Sequence, residues 1–204
     1  MSVKRGQLIA FEGIDGCGKS TQLGLLADVA AASGLDPLRT REPTDGPFGR
    51  RIRAMARSDR RVAPEQELRW FVEDRRAHVA EVIAPALAAG RLVLSDRYYL
   101  SSVAYQGARG LDWLRILVDS EAEFPLPDLA LILQVAPERG LERVEARGSA
   151  AEPAFEELDF LRRVASTFDE IDRDYIVRVD GDDEPDRVHE RVLSLLAERL
   201  GLRF

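Results

Sequence analysis

The chain contains no asparagine, one cysteine and only two lysines among its 204 residues. Each scarcity excludes something. A lone cysteine, Cys17, cannot close an internal disulfide, which fits a reducing compartment and points to the cytoplasm. Without asparagine there is no Asn-Lys-x-Asp guanine signature, so a regulatory GTPase is set aside. The only histidines, His78 and His189, are too far apart and too poorly accompanied for a zinc site. They read as surface or helix-packing residues. No run approaches the ~20 apolar residues of a membrane span, and the stretch Met1 to Gly6 has no apolar leader core. A membrane partner is therefore not expected. Basic excess is missing too: the net charge of −7 disfavours nucleic acid, although local arginines can still receive a small anion. The length suits one domain spanning residues 1–204, without an obvious linker or repeat.

One of the two lysines stands where a pattern demands it. Gly13-Ile14-Asp15-Gly16-Cys17-Gly18-Lys19-Ser20 spells G-x-x-x-x-G-K-S. Small residues let successive backbone N–H groups curl around a polyphosphate, the lysine reaches its β and γ oxygens, and the serine hydroxyl is placed for Mg2+. The apolar run Leu8-Ile9-Ala10-Phe11 before the loop reads as a buried strand, and Thr21 to Ala32 as the helix whose N-terminus faces the anion. Gly13, Asp15, Gly16, Cys17, Gly18, Lys19, Ser20 and Thr21 are thus the candidate binding residues for a nucleoside triphosphate.

Short apolar runs alternate with longer helical stretches, which predicts an α/β fold with a parallel sheet. The spacing predicts strands over Gln7–Phe11, Pro37–Thr40, Leu92–Leu94, Asp128–Val135 and Tyr175–Val179. It predicts helices over Lys19–Ala32, Phe48–Arg57, Pro64–Ala89, Leu111–Glu121, Pro137–Arg147, Phe155–Asp172 and Glu184–Leu200. Gly34, Gly90 and Gly201 fall where helices should end. The small, polar stretch from Gly148 to Ala154 looks like a lid. Binding residues should cluster at the carboxyl ends of the strands.

Ser95-Asp96-Arg97-Tyr98 follows the third strand: an acid there suits Mg2+ or proton acceptance, and Arg97 suits a phosphate. Arg75 falls on the apolar stripe of the helix from Pro64, where a charge is costly unless it meets a carboxylate or a ligand. Phe71, one turn earlier, offers a flat stacking surface, or simply a core residue. Arg41-Glu42-Pro43 follows the second strand and Arg53 lies in the next helix. The acid and base suit a metal-bound phosphate site, or an ordinary solvated loop.

These residues together resemble the bacterial thymidylate (dTMP) kinases, within the P-loop nucleoside monophosphate kinases. The pieces that match are Phe11 through Thr21, Thr40-Arg41-Glu42-Pro43, Gly49 through Arg53, Phe71, Asp74-Arg75, His78, and Asp96 through Gly107. Arg109-Gly110-Leu111, Pro127-Asp128-Leu129 and Arg143 through Gly148 complete the set, which runs from about residue 7 to 168. The resemblance implies a three-layer P-loop fold, a five-stranded parallel sheet flanked by helices, with a short lid at about residues 143–155. It implies in-line transfer of the ATP γ-phosphoryl group to dTMP, with Mg2+, and a homodimer. Phe71 would stack on thymine, Arg75 would read a base carbonyl, and Ser101, Ser102 and Gln106 would complete the pocket. Tyr105 would lie against the sugar and Asp15 would take its 3′-hydroxyl. Arg53 and Arg97 would clamp the acceptor phosphate, with Glu42 close by. Ser20, Asp96 and Glu42 would serve the metal, while Lys19, Asp96, Arg97, Arg143 and Arg147 would carry the chemistry.

Two positions depart from that pattern. Thr44-Asp45 stand where the family usually has two glycines, so Asp45 is expected to turn away or to pair with Arg50 or Arg51. Pro153-Ala154 stand where the bacterial lid usually carries Asp-Arg. Arg143 or Arg147 is then expected to make the transition-state contact. A kinase for another deoxynucleotide or a nucleoside, and a degenerate nucleotide-binding relative, are the alternatives.

Overall fold

The computed structural model describes residues 5–58, 62–146 and 154–204, without side-chain detail for 154–157. Five parallel strands form one sheet in the order β2-β3-β1-β4-β5. They are β1 (Gln7–Glu12), β2 (Leu38–Arg41), β3 (Leu92–Asp96), β4 (Leu129–Gln134) and β5 (Ile176–Asp180). Leu8 to Phe11, Val93 and Leu94, and Leu129 to Leu133 are almost wholly buried. That is why the central strands read as continuous apolar runs rather than alternating ones. Helices flank the sheet, as expected for the three-layer arrangement. Helix α1 (Lys19–Ala32) packs on β1, β3 and α9 (Pro185–Leu200), while α5 (Tyr99–Ala108) packs with α3 (Pro64–His78), α6 (Trp113–Glu123) and α8 (Ala154–Glu170). Helices α2 (Pro47–Ala56) and α7 (Pro137–Glu145) complete the set around the strand ends.

Register brings the chemistry together. Asp96 at the end of β3 lies level with Phe11 on β1 and Arg41 on β2. The residues that follow each strand, Gly13, Glu42 and Arg97, therefore emerge side by side at the carboxyl edge.

Three helical expectations need correction. The stretch expected as one helix over Pro64–Ala89 is α3 (Pro64–His78), a π-helical stretch over Val79–Ile83, and α4 (Ala84–Ala88). Pro85 has no N–H to donate and its ring crowds the carbonyl one turn back, and the wider turn accommodates it. Helix α5 was not expected at all. It is buried on nearly every side, from Tyr99 through Ala104 and at Gln106, so it shows no apolar period for the eye to find. Helix α6 begins two residues later than expected because the Asp112 side chain caps it, accepting from Arg115 N at 3.0 Å.

Candidate active site

The P-loop joins β1 to α1, and three of its glycines hold positive φ, 130° at Gly13, 80° at Gly16 and 100° at Gly18. Gly16 needs its lack of a side chain twice over: a Cβ there would sit 2.1 Å from the Gly140 carbonyl oxygen of α7. The first turn of α1 carries no acidic residue, which leaves its N-terminal N–H groups free for an anion. The Lys19 ammonium folds back on the loop, donating to the Ile14 carbonyl at 2.7 Å and the Gly13 carbonyl at 3.1 Å. Cys17 is a buried free thiol under this loop. Thr21 is exposed at its rim, and Asp15, Lys19, Ser20, Thr21, Asp96 and Arg97 share the cleft above.

Across that cleft the Ser20 hydroxyl donates to the Asp96 carboxylate. A hydroxyl beside a carboxylate is a hard-oxygen pair of the kind Mg2+ accepts together with water and phosphate oxygens. Next to it Arg97 adopts φ 71°, the one non-glycine residue with positive φ among the described residues. Such a conformation costs of order 1 kcal/mol and persists only where surroundings enforce it. Here they do. Arg97 donates to Asp15 at 2.6 Å, to Ser101 at 2.9 Å and to Tyr105 at 3.3 Å, with its guanidinium over the Tyr105 ring. Tyr105 OH also donates to Asp15 at 3.0 Å. Crowding would raise the Asp15 carboxyl, but Arg97, Lys19 and the Tyr105 hydroxyl outweigh it and hold it down at about 2. Asp15 therefore stays an anion.

Beneath Arg97 lies a residue that sequence reasoning passed over. Glu12, the last residue of β1, is fully buried and accepts from Tyr98 N at 2.8 Å and from the Ser101 hydroxyl. Burial pushes its carboxyl up to about 7, against the opposing pull of Ser101, Arg97, Tyr98 N–H and Arg75. The available signal was an acid directly after four apolar strand residues.

A second buried group stands behind it. Arg75, 1% exposed, is paired through Nη2 with Glu42 at 2.7 Å, and that nitrogen also donates to Ser102 at 3.0 Å. The guanidinium sits between the Tyr98 and Phe124 rings, 5.5 Å from each centroid. The other Glu42 oxygen meets His78 Nδ1 at 3.0 Å, and His78 Nε2 meets Thr40 at 2.6 Å. Thus His78 is no surface residue but part of a buried chain from Thr40 to Arg75. Glu42, expected to serve a metal, spends both oxygens on Arg75 and His78 while lining the same cleft as Ser20 and Asp96. Two buried polar atoms here have no hydrogen-bond partner among the described residues: Arg75 Nη1, a donor, and Gln106 Oε1, an acceptor. Phe71 is half-buried one turn before Arg75 on α3.

A family profile described as thymidylate kinase matches residues 11–192. The thymidylate kinase of Desulfotalea psychrophila is 40% identical over 200 residues, covering 98% of both chains. The probable thymidylate kinase of Archaeoglobus fulgidus is 41% identical over 96% of this chain and 97% of its own. That of Akkermansia muciniphila is 41% identical over 96% and 94%. The chain belongs to the thymidylate kinase family.

As a thymidylate kinase relative it places its two departures informatively. Asp45 neither turns away nor meets the guanidinium of Arg50 or Arg51. Its carboxylate lies 2.7 Å from Arg53 Nη2 and 3.2 Å from Arg41 Nη2, while Arg50 reaches only its backbone carbonyl, at 2.6 Å. Arg143 on α7 donates to the Gly16 carbonyl at 3.4 Å and lies 3.8 Å from Asp182, at the rim of the P-loop. Arg147 and most of the expected lid lie outside the described residues. Among the described residues no helix is long and apolar enough to cross a membrane. A cleft of about 570 Å³ between β5 and α9 holds Arg178, Arg187 and Arg191. Those arginines are already bound to carbonyls and carboxylates of their own neighbourhood.

Proposed function

We propose that this thymidylate kinase relative transfers the γ-phosphoryl group of ATP to the phosphate of dTMP, giving ADP and dTDP, in the cytoplasm. The observation that carries the choice of base is the unpartnered pair Arg75 Nη1 and Gln106 Oε1. A buried donor and a buried acceptor left open are costly unless a ligand fills them. Thymine offers a carbonyl acceptor beside an N–H donor, which satisfies both; the same edge of cytosine presents the reverse. Phe71 supplies the stacking face and Ser102 the neighbouring hydroxyl.

The acceptor is already an anion, so the chemistry needs alignment and charge neutralisation more than a base. Lys19 leaves the loop carbonyls for the β and γ oxygens. Arg97 and Arg53 hold the acceptor phosphate, and Asp15 with Tyr105 faces the deoxyribose. Arg143, beside Gly16, is the arginine placed to meet the developing charge. Ser20 and Asp96 fit Mg2+, which when bound neutralises the phosphate oxygens. A homodimer is also proposed. Exposed Leu114 and Val118, one turn apart on α6, and Leu126 beyond it support that reading.

The test is a coupled ADP-release assay with Mg-ATP against dTMP, dUMP, dGMP, dCMP and thymidine. Turnover should be strong with dTMP. Preference for another acceptor would remove the base assignment, and no turnover with ATP and dTMP still bound would indicate a degenerate relative.

A further inference from the structure

Thr44 and Asp45 follow Pro43 at the mouth of the site, and Asp45 is 77% exposed. Its surroundings are cationic. Arg53 is held by the Pro43 carbonyl through Nη1 at 2.9 Å and offers Nη2 to Asp45 at 2.7 Å. Arg41 reaches the same carboxylate at 3.2 Å. Asp45 and Arg41 also line a cleft of about 620 Å³ that includes Ser20 and Asp96, so the carboxylate faces the reacting edge of the sheet. The loop does not depend on it. Thr44 is tied to Asp74 twice, N–H to Oδ2 and hydroxyl to Oδ1, both at 2.7 Å, and Gly46 N donates to the Thr44 hydroxyl at 3.0 Å.

We propose that Asp45 is an internal anion that occupies Arg53 in place of the acceptor phosphate and is displaced when a phosphomonoester arrives. The proposal rests on the reading of Arg53 as an acceptor-phosphate contact. A carboxylate carries one charge and a phosphomonoester near neutral pH carries up to two, so the incoming phosphate wins the guanidinium, while a nucleoside with no phosphate brings nothing to displace Asp45. Asp45 thereby sets the KM of phosphate-bearing acceptors, by competing with their phosphate for Arg53. Because Asp45 is exposed and Arg53 only half-buried, the competition is modest, worth about two- to fivefold in KM.

The experiment measures acceptor KM at saturating Mg-ATP for the wild type, Asp45→Asn, Asp45→Gly, Arg53→Ala and the double variant Asp45→Asn with Arg53→Ala. Inorganic phosphate serves as a competing anion. Removing the Asp45 charge should lower the dTMP KM by about two- to fivefold and lower the phosphate Ki in the same direction, with kcat moving less than KM. The gain should vanish in the Arg53→Ala background. A merely structural Asp45 would do the opposite, since a loosened loop raises KM. The proposal is overturned if both single Asp45 variants leave KM unchanged or raised, or if the gain survives without Arg53. If Arg53→Ala alone leaves the dTMP KM unchanged, it is the Arg53 reading that fails.

Discussion

Arg75 Nη2 lies 2.7 Å from Glu42 Oε2, with both side chains almost entirely removed from water. A buried pair of this kind contributes little net stability against an apolar replacement, but removing one partner strands a buried charge and costs about 3–5 kcal/mol. Glu42→Gln should therefore lower the free energy of unfolding by about that amount, read as a shift of the urea midpoint at constant slope. The protein that still folds should show a raised dTMP KM, because Arg75 has lost the group that orients it. An unchanged midpoint would mean that a neutral amide at position 42, with Ser102 and the Tyr98 and Phe124 rings, holds the guanidinium as well as the carboxylate does.

Ser20 and Asp96 meet across the mouth of the P-loop. Replacing Asp96 with Asn removes the only charge of that oxygen pair and should lower kcat by at least about 100-fold, with ATP affinity changed far less. Ser20→Ala, which deletes a neutral ligand, should be milder and partly recovered by higher Mg2+. Equal turnover in Asp96→Asn and wild type across a magnesium titration would remove both residues from the metal assignment.

Strands β1, β3 and β4 are legible in the sequence because each is a short apolar run ending at a polar residue, and the P-loop because its spacing has one physical use. Arg75 is legible as an anomaly, a charge on an apolar stripe. The single chain leaves open whether its partner is a carboxylate or a ligand, and the structure supplies Glu42 while leaving Nη1 over. Helix α5 is illegible for the opposite reason: burial on all sides erases the contrast on which helical periodicity depends. His78 and Glu12 escape notice because polar groups in a core announce themselves only through their partners. Those partners, Glu42, Tyr98 and Ser101, lie between 36 and 89 positions away along the chain.

Arg143 stands 3.4 Å from the Gly16 carbonyl on the wall of the P-loop. With alanine in place of the usual lid arginine at position 154, Arg143→Ala should reduce kcat by roughly 100- to 1,000-fold while changing the dTMP KM little, the signature of a contact made mainly in the transition state. Arg147→Ala measured in parallel shows whether the two share the role. Wild-type turnover in both variants would leave the transferring group without an arginine from this segment.

Glu12 gives the fold a pH dependence with a definite sign. Its carboxyl is raised from the ordinary 4.5 to about 7 by burial, so between those values the folded chain holds a proton that the unfolded chain has released. Stability from this group is complete below about pH 4.5 and is lost as pH rises through 7, a loss of about 3 kcal/mol. His189, whose imidazole is lowered by burial, acts in the opposite direction below its ordinary 6.5, and Asp15, held at about 2, acts only in acid below 3.8. Comparing wild type with Glu12→Gln removes both, since each retains them. Urea unfolding at pH 5 and pH 8 should show wild type losing more stability than the variant, by about 2.5 kcal/mol, the part of that loss lying above pH 5. Parallel losses in the two proteins would mean that Glu12 is ionised throughout, held by Arg97 and the Ser101 hydroxyl more strongly than burial opposes it.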